Sequence, residues 1–165
     1  MKKYEFTGET KEIRLLFRTA TLHRIRATVA FGIVEVGDLG GWIEKEENLS
    51  HEGKAWVCGD AKVWGNAEVW GNAEVCGEAE VFSASHVLVI GAIGSRNDFT
   101  TFYRDKDNEI TVKCGCFLGK IDRFLEKVTQ THGDSKYALV YRAAVEVAKL
   151  QIDLSGEAPK DADEE

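Results

Sequence analysis

The chain has 165 residues, a formal net charge of −7, a hydrophobic share of 44% and a single proline. That length holds one domain or one repeat segment with small appendages, and the apolar share supports a packed core and excludes wholesale disorder. No run of about 18 apolar residues occurs, and Met1-Lys2-Lys3 leads into Tyr4-Glu5-Phe6, so neither a membrane span nor a secretion signal is expected and the protein reads as cytoplasmic.

Charge is distributed unevenly. Seven cations, Lys2, Lys3, Lys11, Arg14, Arg18, Arg24 and Arg26, face only Glu5, Glu9 and Glu12 in the first thirty residues. The last nine residues set Glu157, Asp161, Asp163, Glu164 and Glu165 against Lys160, and residues 155–165 read as a disordered acidic tail. Such a chain could steer an anion to its N-terminal end or a basic partner to its flank, or could pair head to tail with itself.

Residues 1–32 carry Tyr4, Phe6, Ile13, Leu15, Leu22, Ile25 and Val29 among polar neighbours and read as a few strands forming a β cap. From 33 to 95 a period of six takes over. Aligned units begin at Val57, Val63, Val69, Val75 and Val81, with Gly59-Asp60, Gly65-Asn66, Gly71-Asn72 and Gly77-Glu78 at the corners and Ala61, Ala67, Ala73 and Ala79 four residues after each of the first four valines. Gly, Asn and Asp tolerate the positive φ that sharp corners need. Three short faces make a coil of eighteen residues, which predicts Val57 under Val75, Val63 under Val81 and Val69 under Val87. The same arithmetic stacks Cys58 with Cys76, Trp64 with Phe82 and Trp70 with Leu88.

That flank is an expected partner or oligomer interface, with Trp64, Trp70 and Phe82 as anchors and Glu68, Glu74 and Glu80 as an acidic rim. The alternative is that the rings stack only to stabilise the coil or are covered by the terminal segments. Arg14, Arg18, Arg24 and Arg26 form a second candidate, an anion-binding set suited to phosphates.

Residues 96–154 read as a C-terminal module. A hairpin spans Phe99–Arg104 and Ile110–Cys116, followed by a helix ended by Gly133 and a second one capped by Asp134 or Ser135. In the second helix Ala138, Tyr141, Val145, Ala148 and Ile152 form a stripe that can dock on the hairpin.

The stretch from Gly40-Gly41-Trp42-Ile43 through the Val-Trp-Gly-Asn-Ala units resembles the hexapeptide-repeat left-handed parallel β-helix superfamily. With Gly115-Cys116-Phe117 and Thr131-His132-Gly133 it looks most like small phage- and prophage-encoded members that add a hairpin and two helices. The resemblance implies a mainly β fold with α, namely a short left-handed parallel β-helix capped by N-terminal strands and by the C-terminal module. It also implies a homotrimer.

Many members of that superfamily are acyltransferases with a histidine base on a protruding loop. His51 and His86 fall on the coils, His132 falls at a helix end and His23 in the basic strand segment, so no catalytic residue is assigned. Cys114-Gly115-Cys116 has no zinc-ribbon spacing, and the four cysteines are read as reduced, unreactive thiols, with no metal and no cofactor. The expected function is a non-enzymatic phage-type accessory protein that binds and inhibits a host antiviral-defence factor, by gripping a protein or by sequestering a nucleotide. The alternatives are an acyltransferase-like enzyme and a structural oligomer of a phage. Direct nucleic-acid binding is not expected, because the basic residues are confined to one end.

Overall fold

The computed structural model describes residues 1–156 and the two-residue strand at 160–161. Strands β1 (Tyr4–Arg14) and β2 (Thr19–Ala27) form an antiparallel hairpin whose alternation buries Tyr4, Ile13, Ala20, Leu22 and Ile25. β3 (Leu39–Ile43) joins β2 antiparallel through His23↔Ile43 and Arg24↔Trp42.

The chain then turns into short rungs: β4 (Trp56–Val57), β5 (Lys62–Val63), β6 (Glu74–Val75) and β7 (Glu80–Val81). Here the six-residue period sets the local structure. Val57, Val63, Val69, Val75 and Val81 are all at most 1% exposed, as are the alanines at 61, 67, 73 and 79. Burying one such valine contributes about 1.5 kcal/mol or more. The corner glycines at 59, 65, 71 and 77 all have φ between +62° and +68°. Val57 pairs with Val75 and Val63 with Val81.

β8 (Val87–Ile93), β9 (Asp98–Arg104), β10 (Ile110–Cys114) and β11 (Phe117–Lys120) follow as an antiparallel sheet, and α1 (Ile121–His132) and α2 (Lys136–Gln151) pack on it. Gly133 ends α1, and Ala138, Tyr141, Val145, Ala148 and Ile152 point into a core shared with Phe102, Val112 and Phe124. β12 (Lys160–Asp161) pairs with Ile13 and Arg14 on the outer edge of β1. Of the expected acidic tail, residues 157–159 and 162–165 lie outside the described residues.

These elements correct the expected fold class. The strands assemble as a six-stranded mixed sheet in the order β12-β1-β2-β3-β5-β7, a four-stranded antiparallel sheet β11-β10-β9-β8 and a parallel pair β4-β6, with two C-terminal helices. This is a mixed α/β architecture and not a hexapeptide-repeat left-handed β-helix, and the likeness to that superfamily and its phage members falls with it.

The physical reason lies in the length of the rungs. Each parallel ladder is two residues long, and the third face is reduced to a single bridge, Leu49↔Val69. Extra residues around the 3₁₀ turn Glu46–Asn48 also lengthen the first register, so that Trp42 lies opposite Lys62. At the far end Val87 does not continue over Val69; it pairs with Tyr103, because β9 offers β8 a ladder running from Val87 to Ile90. A stack this short is closed by antiparallel strands at both ends.

The expected free thiols at 58 and 76 are corrected too. The rung register brings Cys58 and Cys76 together, with Cα atoms 4.5 Å apart, and a disulfide joins them. Buried polar groups tie the layers. Asn48, fully buried, donates from Nδ2 to the carbonyls of Ala67 and Gly65 at 2.9 and 3.2 Å, and the hydroxyl of Tyr103 donates to the carbonyl of Cys76 at 2.9 Å.

Candidate functional site

The aromatic residues expected to form one flank are divided by the fold. Trp64 is 2% exposed and stacks on Phe82 with ring centres 4.8 Å apart. Trp64 packs with Ile13, Leu22 and Trp42 from the N-terminal hairpin and β3, and Phe82 lies half-buried against that cluster. Phe82 is also capped by the guanidinium of Arg104 at 4.9 Å and by the edge of His86. Trp70, on the next corner, is 68% exposed.

The cause is the interrupted third face. Gly53 lies beneath Gly71, Gly59 beneath Gly77 and Gly65 beneath Phe82, but nothing lies within 4 Å of the position where a Cβ on Gly71 would stand. The layer that should cover this corner has been drawn away into β8. What remains is a groove of about 710 Å³ between the Trp70–Ala73 corner and Val87, Leu88 and Val89 of β8. Phe99 and Ala84 close it, and Asn66, Glu68 and Asn72 give it a polar rim. One wall is a tryptophan on a tight corner; the other is the terminal strand of the four-stranded sheet. The pairing of Trp70 with Leu88 becomes two sides of an opening.

The expected acidic rim is likewise divided. Glu68 is exposed at the groove. Glu74 lies 3.4 Å from the Lys113 ammonium and its backbone N–H donates to Thr101 Oγ1. Glu80 is 9% exposed, within the rung that pairs with Lys62.

The arginines sit along the N-terminal sheet, and Arg18, Arg24 and Arg26 each stand against a carboxylate. Arg18 makes a two-pronged contact with Glu44, whose carboxyl is held below its usual range chiefly by that hydrogen bond. Arg26 donates through Nε and Nη2 to Glu5 Oε1 at 3.1 and 2.6 Å. Arg24 donates to the carbonyl of Gly40, lies over Trp42 and stands 4.0 Å from Glu9. Arg14 is exposed at the end of β1. The sheet therefore does not gather the four into one pocket of unpaired guanidiniums.

The coil histidines serve the backbone. His51 Nδ1 accepts from the Lys3 N–H at 3.0 Å, and His86 Nδ1 accepts from the Phe82 N–H at 3.1 Å. Burial pushes both imidazoles below their usual pKa, which keeps them neutral acceptors. His132 stacks on Tyr141 at the end of α1, and His23 stacks on Phe6. Among the described residues no group of three or more His, Cys, Asp or Glu side chains is placed to hold a metal ion, and no helix is long and apolar enough to cross a membrane.

Sequence reasoning assigned Val87 and Val89 to the coil and so missed that they line the groove. No protein-family model matches the chain, and a comparison with curated proteins finds no match.

Proposed function

We propose that this chain is a non-catalytic binding protein that takes an extended, apolar and basic segment of a partner protein into the Trp70 groove. The observation that carries the reading is the open third side of the rung stack, where a 68% exposed tryptophan faces a terminal β-strand. An extended segment can add to such a strand by main-chain hydrogen bonds while its side chains use the groove. Tryptophan is the residue type most often found as an interface anchor, and Glu68 on the rim favours a cation in the partner. Occupying such a segment is also how an inhibitor of a host factor would act, and it needs one chain rather than a homotrimer. The arginine set offers less to a nucleotide, because Glu5, Glu9 and Glu44 already stand against three of its members.

The test uses the tryptophans themselves. Trp42, Trp56 and Trp64 are at most 5% exposed, so quenching by acrylamide or iodide reports chiefly on Trp70. A library of short extended peptides varied in charge and apolar content is titrated against the chain and against Trp70→Ala. The reading requires peptides that shield Trp70 from the quencher and lose at least tenfold in affinity with Trp70→Ala. Peptides that bind without shielding Trp70, or bind Trp70→Ala equally well, overturn it.

A further inference from the structure

The remaining pair of cysteines lies at the turn between β10 and β11 of the C-terminal sheet. Cys114 is half-buried and Cys116 exposed, and both are free. Cys114 pairs with Phe117, so Gly115 and Cys116 form the two-residue turn between β10 and β11, with Gly115 at φ +57°. Both cysteines line a single cleft of about 220 Å³ between that turn, α1 and α2.

The cleft is built rather than incidental. Its floor is Phe124 against Tyr141, edge to face at 5.7 Å, and the Tyr141 hydroxyl sits so close over Gly94 that any Cβ there would collide with it. Cys114 Sγ accepts from Thr100 Oγ1 at 3.4 Å. At the mouth stand two cations, Arg96 and Lys127, and one carboxylate, Asp98. Arg96 overhangs the turn, its Nη1 3.3 Å from where a Cβ on Gly115 would lie. This is a small basic mouth on a chain whose net charge is −7.

An exposed thiol, a second thiol two residues away in the same cleft and a cationic rim are the parts that thiol–disulfide exchange requires: a nucleophile, a resolving group and attraction for the substrate. We propose that Cys116 and Cys114 form a dithiol site for anionic low-molecular-weight disulfides, with Arg96 and Lys127 receiving the substrate's carboxylates.

The Cys116 thiolate attacks one sulfur of the substrate. A Cys116–substrate bond forms, the substrate's S–S bond breaks, and the first half leaves as a thiolate that takes up a proton. The Cys114 thiolate then attacks the Cys116 sulfur, forming the Cys114–Cys116 disulfide and releasing the second half. The protein dithiol loses two electrons and the substrate disulfide gains them. This inference is independent of the Trp70 groove.

The test treats the full chain, with Cys58–Cys76 intact, with oxidised glutathione as the anionic disulfide and with cystamine as a cationic one. Products are read by peptide mass mapping, which separates the two cysteine pairs. The proposal expects oxidised glutathione to yield the internal Cys114–Cys116 disulfide with two glutathiones released. Cys114→Ser should stop at the mixed disulfide on Cys116, and Cys116→Ser should react at least tenfold more slowly. Glutathione should outpace cystamine at low salt, with Arg96→Gln and Lys127→Gln each lowering its rate about threefold or more. A mixed disulfide that persists in the unmodified chain overturns the resolving role of Cys114. Equal or faster reaction with cystamine overturns the anionic specificity.

Discussion

A Cβ added to Gly53 would meet the carbonyl oxygen of Gly71 at 2.7 Å, whereas a Cβ added to Gly71 would meet nothing within 4 Å. The two glycines have almost the same backbone, φ +69° and +68°, so their difference is purely one of what lies above them. Gly71→Ala should cost only the left-handed backbone strain, about 1–2 kcal/mol. Gly53→Ala carries the same strain plus a collision with backbone that cannot move aside, and should cost at least about 2 kcal/mol more. Urea denaturation of the two variants measures the gap; equal losses would mean that the third side is not open.

The same opening separates two tryptophans. Trp64→Ala removes a ring buried in the cluster with Ile13, Leu22 and Trp42 and should cost about 3–5 kcal/mol. Trp70→Ala removes an exposed ring and should stay within about 0.5 kcal/mol of the unmodified chain. Thermal denaturation distinguishes them. A double replacement is therefore unsuitable as a binding test, since its Trp64 half threatens the fold.

Lys3 predicts an alkaline rise in stability. It is 3% exposed, its ammonium donates to the Ala55 carbonyl at 2.6 Å, and burial pushes its pKa down from 10.5 to about 8. Between those two values the unfolded chain binds more protons than the folded one, so stability increases with pH. Tyr4 and Tyr103 act in the opposite sense, because burial raises both phenols above their usual value of 10.0 and the unfolded chain then loses protons that the folded chain keeps. Stability should climb from about pH 8 to about pH 10 by up to about 2–3 kcal/mol and then fall. In Lys3→Met the climb should vanish while the fall above pH 10 remains.

On the acid side His86 and His51 set the slope. Both have lowered pKa values in the folded chain, chiefly through burial, so the unfolded chain takes up protons first as the pH drops through 6.5. Stability should decline from there downward, and His86→Gln should flatten that decline in denaturation midpoints measured from pH 7 to 5. An unchanged slope would place His86 in contact with water.

Arg104 is fully buried and closes the C-terminal segment. Its Nη1 and Nη2 donate to the carbonyls of Ser155 and Gly156 at 3.3 and 3.0 Å, while its plane covers Phe82. Arg104→Met keeps the stem but frees those carbonyls and should cost about 2–3 kcal/mol. Limited proteolysis near Ser155 should accelerate in the variant before global unfolding does.

Much of the local structure was legible in the sequence. The inward valines, the corner glycines and the alignment of Cys58 with Cys76 all follow from the six-residue period; Gly133 marked the end of α1, and of the two caps the sequence offered for α2, Asp134 and Ser135, it is Ser135 that stands there. What the period could not reveal was its own extent. Val87 fits the repeat as well as Val81 does, yet a neighbouring antiparallel strand gives it more main-chain partners than a two-residue rung could. Trp64 and Trp70 occupy identical places in their units, and what differs is the cover, the N-terminal hairpin, β3 and Phe82 over the first and an interrupted layer over the second. Nor could charge counting show that Glu44 and Glu5 had been set against Arg18 and Arg26.

The order of the rungs has a consequence for synthesis. β2 finds β1 behind it, β3 finds β2, β5 finds β3, and β7 finds β5, so each strand of the mixed sheet up to Val81 leaves the ribosome with its template already made. The outer edge of β1 has no such template behind it and is covered by β12, far along the chain. Up to Val81 such a sheet can fold in the direction in which it is translated, with the outer edge of β1 left for a later strand.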